Sequence, residues 1–230
     1  ILNSLAHGME INLKDIHVEG IRNITPADIE FAGEFGYTIK LLAIGKKHDG
    51  HVEARVHPTM VPESNMLANI SGTFNAILFN GDTVDDVLLY GHGAGMMPTG
   101  SAVAADVVDI SRNIASGSIN RVPALAYLPD SFSPPSITPM EKLTCPYYFR
   151  VNVLDKPGVL STISGILGKH SISIKSVIQK GHTPGEPVHV VFRIHRSSED
   201  AVEKAVAEID ALDFCTEPTV KIRVLMENND

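Results

Sequence analysis

The sequence predicts an α+β chain: a mixed or antiparallel sheet with helices, followed by a smaller β-α-β-β-α-β unit. Three observations carry that prediction. Turn signals at Asp49-Gly50 and Asn80-Gly81 each separate two runs of alternating apolar residues. A glycine turn at Gly91–Gly95 leads into an Ala-rich helical pattern. A proline- and serine-rich stretch, Pro129 to Pro146, then gives way to a regular alternation of strand and helix patterns. With 230 residues, of which 43% are hydrophobic, the chain is long enough for two compact domains.

Ile1, Leu2 and Leu5 fall on a helical spacing that starts mid-pattern with no Met, as expected of a fragment of a longer protein. Thr25-Pro26-Ala27-Asp28 is a helix start: Thr25 as the cap, Pro26 at the first helical position, Asp28 at the positive end of the dipole. Gly36 is its stop. Tyr37 to Gly45 reads as a strand, and Val52, Ala54 and Val56 alternate on the return. Two more strands, about Thr73–Phe79 and Thr83–Tyr90, flank Asn80-Gly81. The helix after the glycine turn ends near Gly117 and carries Val103, Val107, Ile110 and Ile114 on one stripe.

Beyond the break, Phe149, Val151 and Val153 alternate on a strand. Asp155-Lys156-Pro157-Gly158 turns into a helix with Val159, Ile163, Ile166 and Leu167. Strands follow through Ile172–Ile178 and through Val188–Ile194, the latter with His189, Val191, Arg193 and His195 on its other face. Ser197 with Asp200 opens a second helix, and Val220, Ile222 and Val224 close the unit. This order is a ferredoxin-like split unit with both helices on one face of the sheet.

A net charge of −8 argues against nucleic acid or an anionic membrane surface as a partner. No apolar run approaches the roughly 20 residues of a membrane span. Cys145 and Cys215 read as reduced thiols of a cytoplasmic protein. His48, His51 and His57 flank one hairpin, but without metal-ligand spacing they read as a solvated turn, and no metal site is expected. Lys40 and Glu19 are the tempting acid–base residues, yet no catalytic constellation surrounds them. Two turns remain. Gly91-x-Gly93-x-Gly95 either brings backbone amides to an anion or simply needs glycine's freedom. Asp155-Lys156-Pro157-Gly158 either receives a small carboxylate at a helix N-terminus, with Asp155 for an ammonium, or is only a well-formed turn.

Ile24–Ile29, Gly36–Leu41 and the run Tyr90-Gly91-His92-Gly93-Ala94-Gly95-Met96-Met97-Pro98-Thr99, continued by Ser101-Ala102-Val103 and Asp106, resemble the homoserine dehydrogenase family. Gly100 stands where Ala is usual there, and His92 where Pro or Arg is common. Tyr148 to Gln179, around Asp155-Lys156-Pro157-Gly158-Val159-Leu160, resembles an ACT module. The resemblance implies residues 1–128 as the C-terminal part of the catalytic domain, 129–146 as a linker and 147–226 as an ACT regulatory domain. It also implies that the nucleotide-binding domain and the proton-transferring lysine lie upstream of Ile1, so this chain holds no catalytic residue and Lys40 is not one. By the same resemblance Gly95 lies against an NAD(P) cofactor in the full-length enzyme, with none expected on this chain alone. The ACT turn, at Asp155, Gly158, Val159 and Leu160, would take L-threonine as effector, and the protein would be a homo-oligomer, dimer or tetramer.

Two functions follow as expectations. The first is a fragment, itself inactive, of an NAD(P)-dependent homoserine dehydrogenase, which interconverts L-homoserine and L-aspartate 4-semialdehyde in threonine and methionine biosynthesis. The alternative is a stand-alone amino-acid-binding regulatory module.

Overall fold

A computed structural model describes residues 1–48, 50–118, 127–181 and 186–226. The chain divides into two compact units, Ile1–Glu10 with Glu63–Pro134, and Ile11–Pro62 with Pro135–Asp230. The division crosses the expected domain segments, because residues 11–62 fold with the C-terminal β-α-β-β-α-β order.

In the first unit, helix α1 (Leu2–His7) ends at Gly8, which takes a left-handed conformation. Strands β4 (Phe74–Gly81) and β5 (Asp85–His92) form a two-stranded antiparallel sheet, followed by helix α3 (Met96–Ala115). The hairpin turn is displaced from the expected Asn80-Gly81: Gly81 pairs with Asp85, leaving residues 82–84 as the loop. Asp85 has φ of +55°, supplying the left-handed residue that closes a three-residue loop. The apolar residues alternate on both faces of this hairpin, with Ala76, Leu78, Leu88 and Tyr90 on one and Ile77, Phe79, Val87 and Leu89 on the other.

The second unit holds both hydrophobic clusters found among the described residues. Its seven-stranded mixed sheet contains β1 (His17–Val18), β2 (Tyr37–His48), β3 (His51–Pro62), β6 (Thr144–Leu154), β7 (Ile174–Gln179), β8 (Pro187–Ser198) and β9 (Cys215–Val224). Strands β2 and β3 pair over their whole length around Gly50, whose φ is +84°; Asp49 lies outside the described residues. Strand β3 then joins β9 in parallel through Thr59 opposite Arg223 and Met60 opposite Val224, with Leu225 N–H donating to the Met60 carbonyl at 2.8 Å. The 129–146 stretch is tied down at several points. Ser133 N–H donates to the Gly8 carbonyl at 2.9 Å, and Val52 N–H to the Ser136 carbonyl at 2.8 Å. Thr144 already opens β6, and Pro146 falls at a register shift, where a strand tolerates its missing N–H.

Helices α4 (Val159–Lys169) and α5 (Glu199–Asp210) cover one face of the β6–β9 portion, burying Ile163, Leu167, Val202 and Ile209 against Phe149, Phe192 and Ile194. The cap of α5 is Ser198, whose hydroxyl accepts from Ala201 N–H at 3.3 Å, one residue after the expected Ser197. The opposite face belongs to α2 (Pro26–Glu34), whose Phe31 and Ala32 pack with Met60, Tyr148, Val191 and Ile222. The mixed face of β8 carrying Val191 is therefore covered within the chain.

Helix α2 is held there by its own cap. Asp28 is fully buried and accepts from Thr25 N–H at 2.8 Å, Thr25 Oγ1 at 2.8 Å, Tyr148 Oη at 3.0 Å, Arg150 Nε at 2.7 Å and Arg150 Nη2 at 3.1 Å. Burial works to raise the pKa of this carboxyl, but the hydrogen bonds from Arg150 and Thr25 outweigh it and hold the group below its ordinary range.

Candidate functional site

The strand-to-helix turn after β6 is built by main-chain bonds. Asp155 N–H donates to the Glu186 carbonyl at 2.9 Å, and Gly158, with φ of +92°, caps α4. Thr162 donates to the Gly158 carbonyl from its N–H at 2.9 Å and from its hydroxyl at 3.1 Å. The next amides, those of Leu160 and Ser161, lie in the first helical turn, where no intrahelical acceptor exists. The four expected effector residues thus meet at one turn but play different parts. Val159 turns inward to the core, so only its backbone faces outward chemistry, while the Leu160 side chain is 43% exposed. Sequence reasoning missed Gln179, whose Nε2 reaches Asp155 Oδ1 at 3.4 Å from β7. Its position on an exposed edge strand gave no local signal.

The glycine turn after β5 is shaped by strand β4. Gly93 N–H donates to the Thr73 carbonyl at 3.2 Å, and a Cβ at Gly93 would lie 1.5 Å from Asn75 Nδ2, so a side chain there requires the Asn75 side chain to move. Gly95 caps α3 with φ of +132°, a conformation that suits glycine alone. Beside the turn, Phe74 stacks on Tyr90 at 4.8 Å and on His92 at 4.3 Å between ring centroids. His92 Nδ1 also meets Thr73 Oγ1 at 3.2 Å. Bare, exposed backbone at a helix N-terminus is chemically suited to an anionic or nicotinamide-bearing ligand, and it is all this turn offers.

The other singled-out residues serve structure. Glu19 accepts from Arg223 Nη1 at 2.7 Å, and Lys40 sits on β2 opposite Thr59. His57 departs from the expected solvated hairpin: it is buried, and burial first, then the Arg223 charge, pulls its pKa down to about 4. Its Nε2 accepts from Arg55 Nε at 3.1 Å, which requires the neutral ring. His51 Nδ1 meets Ser136 Oγ at 2.7 Å, and His195 is exposed. Among the described residues no group of three or more His, Cys, Asp or Glu side chains is placed to hold a metal. Nor, among them, is any helix long and apolar enough to cross a membrane.

Residues 1–108 match the family model for homoserine dehydrogenase, and residues 147–214 match that for the ACT domain. The homoserine dehydrogenase of Neisseria gonorrhoeae is 41% identical over 97% of this chain and 52% of its own length. That of Pseudomonas aeruginosa is 40% identical over 97% and 52%. The crystal structure of a homoserine dehydrogenase from Thiobacillus denitrificans superposes with a TM-score of 0.87 at 40% identity, covering 97% of this chain and 51% of that one. The chain therefore spans about half the length of the relatives it matches. By sequence and by fold, the chain is similar to homoserine dehydrogenases over residues 1–108, where that family's model matches, and carries an ACT domain over residues 147–214.

Proposed function

We propose that this chain is the ACT-bearing C-terminal portion of an NAD(P)-dependent homoserine dehydrogenase, which interconverts L-homoserine and L-aspartate 4-semialdehyde in threonine and methionine biosynthesis. The observation that carries this reading is 40–41% identity along nearly the whole chain to enzymes of that name. A physical feature supports it. The α3 stripe Val103, Val107, Ile110 and Ile114 is 57–65% exposed, and the β4–β5 hairpin is apolar on both faces. Apolar surface on that scale calls for a cover, and the upstream half of the enzyme is the cover proposed here.

The proton-transferring lysine and the nucleotide-binding domain belong to that upstream half, so the chain alone is expected to be inactive. The residues present fit the cofactor at one point only, the side-chain-free backbone of Gly95 at the start of α3. The bound nicotinamide supplies or accepts the hydride. Gly95 contributes close approach of its side-chain-free backbone. The assembly is cytoplasmic and homo-oligomeric, a dimer or tetramer, with the edge of β7, unpaired among the described residues, available to a second copy.

L-threonine is the proposed effector at the β6–α4 turn. Its carboxylate would lie on the amides of Leu160 and Ser161, and its ammonium at Asp155, which Gln179 steadies. The test is homoserine-dependent reduction of NAD(P), measured for the pure chain and after adding a separately produced upstream half. No turnover by the chain and turnover by the pair is expected; turnover by the pure chain would refute the division of labour. The stand-alone regulatory module is favoured by one observation, that both hydrophobic cores lie in the ACT-bearing unit. It predicts that no upstream half restores activity.

A further inference from the structure

Helix α2 is held at both ends by the strands that reach the β6–α4 turn. Its first turn is fixed by a buried contact. Asp28 accepts from Arg150 Nε of β6 at 2.7 Å, and that strand runs on to Leu154, the residue before Asp155. Its second half is held by an exposed contact. Lys180, just past the end of β7, donates from Nζ to Glu30 Oε1 at 3.0 Å and to Glu34 Oε1, and its Nζ lies 5.3 Å from the centroid of the Phe31 ring. The residue before it is Gln179, which reaches Asp155 Oδ1 at 3.4 Å. Neighbouring side chains of an extended chain point to opposite faces of a sheet. A single peptide step therefore carries the β6–α4 turn on one side and α2 on the other. Gly181, with φ of +79°, turns the chain away immediately afterwards.

The two anchors differ in kind. The Asp28–Arg150 pair lies out of water and acts as a fixed pivot. The Lys180 and Glu30 side chains are 47% and 68% exposed, and ion pairs that wet are weak enough for a bound ligand to shift. We propose that occupancy of the β6–α4 turn sets how firmly the last turn of α2 is docked, through Gln179 and Lys180. The proposal deepens the effector reading above and rests on it. A ligand ammonium at Asp155 holds that carboxylate in place and with it Gln179. The end of β7 then loses freedom, and Lys180 stays seated between Glu30 and Glu34. Beyond α2 the chain runs through β2 and β3 to Pro62, and there it enters the unit that holds Gly95.

The test is hydrogen–deuterium exchange of the full chain, read by mass spectrometry over α2, with and without L-threonine at a concentration that calorimetry shows to saturate. The amides that close the helix are Phe35 N–H, which donates to the Phe31 carbonyl at 3.2 Å, and Gly36 N–H, which donates to the Gly33 carbonyl at 2.9 Å. Their exchange is expected to slow about two- to fivefold, the scale of an exposed ion pair. Lys180→Gln, or Glu30→Gln together with Glu34→Gln, should abolish the difference between the two conditions, and Lys180→Arg should retain it. A variant that merely loosens the helix exchanges faster in both conditions and keeps the difference. Coupling is reciprocal, so Lys180→Gln should also weaken threonine binding by the same factor. Saturable heat with unchanged exchange in α2, or a difference that survives Lys180→Gln, would overturn the coupling and leave the effector reading standing. Flat heat would overturn both.

Discussion

Replacing Asp28 by Ala should be the most damaging single change in the ACT-bearing unit. The variant loses the capping box that starts α2, a loss of about 1 kcal/mol. It also strands Arg150, which is 4% exposed, with no counter-charge, and breaking a buried pair in that way costs about 3–5 kcal/mol. The two losses share atoms, so the sum is taken at its lower end, about 4 kcal/mol. That is roughly a thousandfold in the unfolding equilibrium, and a large part of the about 5–15 kcal/mol that holds a domain together. Urea unfolding at pH 7, followed by far-ultraviolet circular dichroism, reads the change directly. The double variant Asp28→Leu with Arg150→Met should recover at least half of the loss, because neither charge is then buried alone. A loss below about 1 kcal/mol for Asp28→Ala, or a double variant as poor as the sum of its parts, would refute the view that this pair fixes α2 to the sheet.

Acid should weaken the second unit in two windows. His57 has its folded pKa lowered to about 4 from an ordinary 6.5, so the unfolded chain binds the extra proton; stability falls as pH drops from about 6.5 to 4 and then levels. His57→Gln should flatten that stretch of a stability–pH curve. Glu199 is held at about 2, because Arg223 and Lys221 outweigh its burial; its contribution is present above about pH 4.5 and is lost as pH falls towards 2. Glu199→Gln should remove that lower dependence in the same titration. Gly95→Ala, which forces a side chain into φ of +132°, should cost about 1–3 kcal/mol of strain at the start of α3 and weaken NAD(P) binding in the assembled enzyme, as read by fluorescence titration. Val107→Glu should leave the unfolding of the second unit unchanged and reduce self-association in light scattering, while abolishing recovery of activity with the upstream half.

Much of this fold was legible because it is local. The helix start at Thr25–Asp28, the alternation along β6 and β8, the glycine stop at Gly36 and the turn at Gly50 are read from a few neighbouring residues each. The join between β3 and β9 was not, since two paired positions separated by more than 160 residues leave no periodic trace. Asp28 was read as a helix-dipole residue, and its burial depends on Tyr148 and Arg150, which only the folded chain brings to it. The run Arg55-Val56-His57-Pro58-Thr59 carried a usable signal, three polar residues on one face of a strand whose neighbours are apolar, and that face proved buried. The effector candidates clustered at one turn as the motif suggested, whereas Gln179 arrives from an adjacent strand whose register no motif encodes.

The most direct measurement is calorimetric titration of the chain with L-threonine, with L-serine, L-lysine and L-methionine as comparisons and Asp155→Ala as the variant. A working regulatory site predicts saturable binding selective for threonine and weakened at least tenfold in Asp155→Ala. Heat that is flat for the chain and for the chain joined to its upstream half, or binding that ignores Asp155, would contradict it.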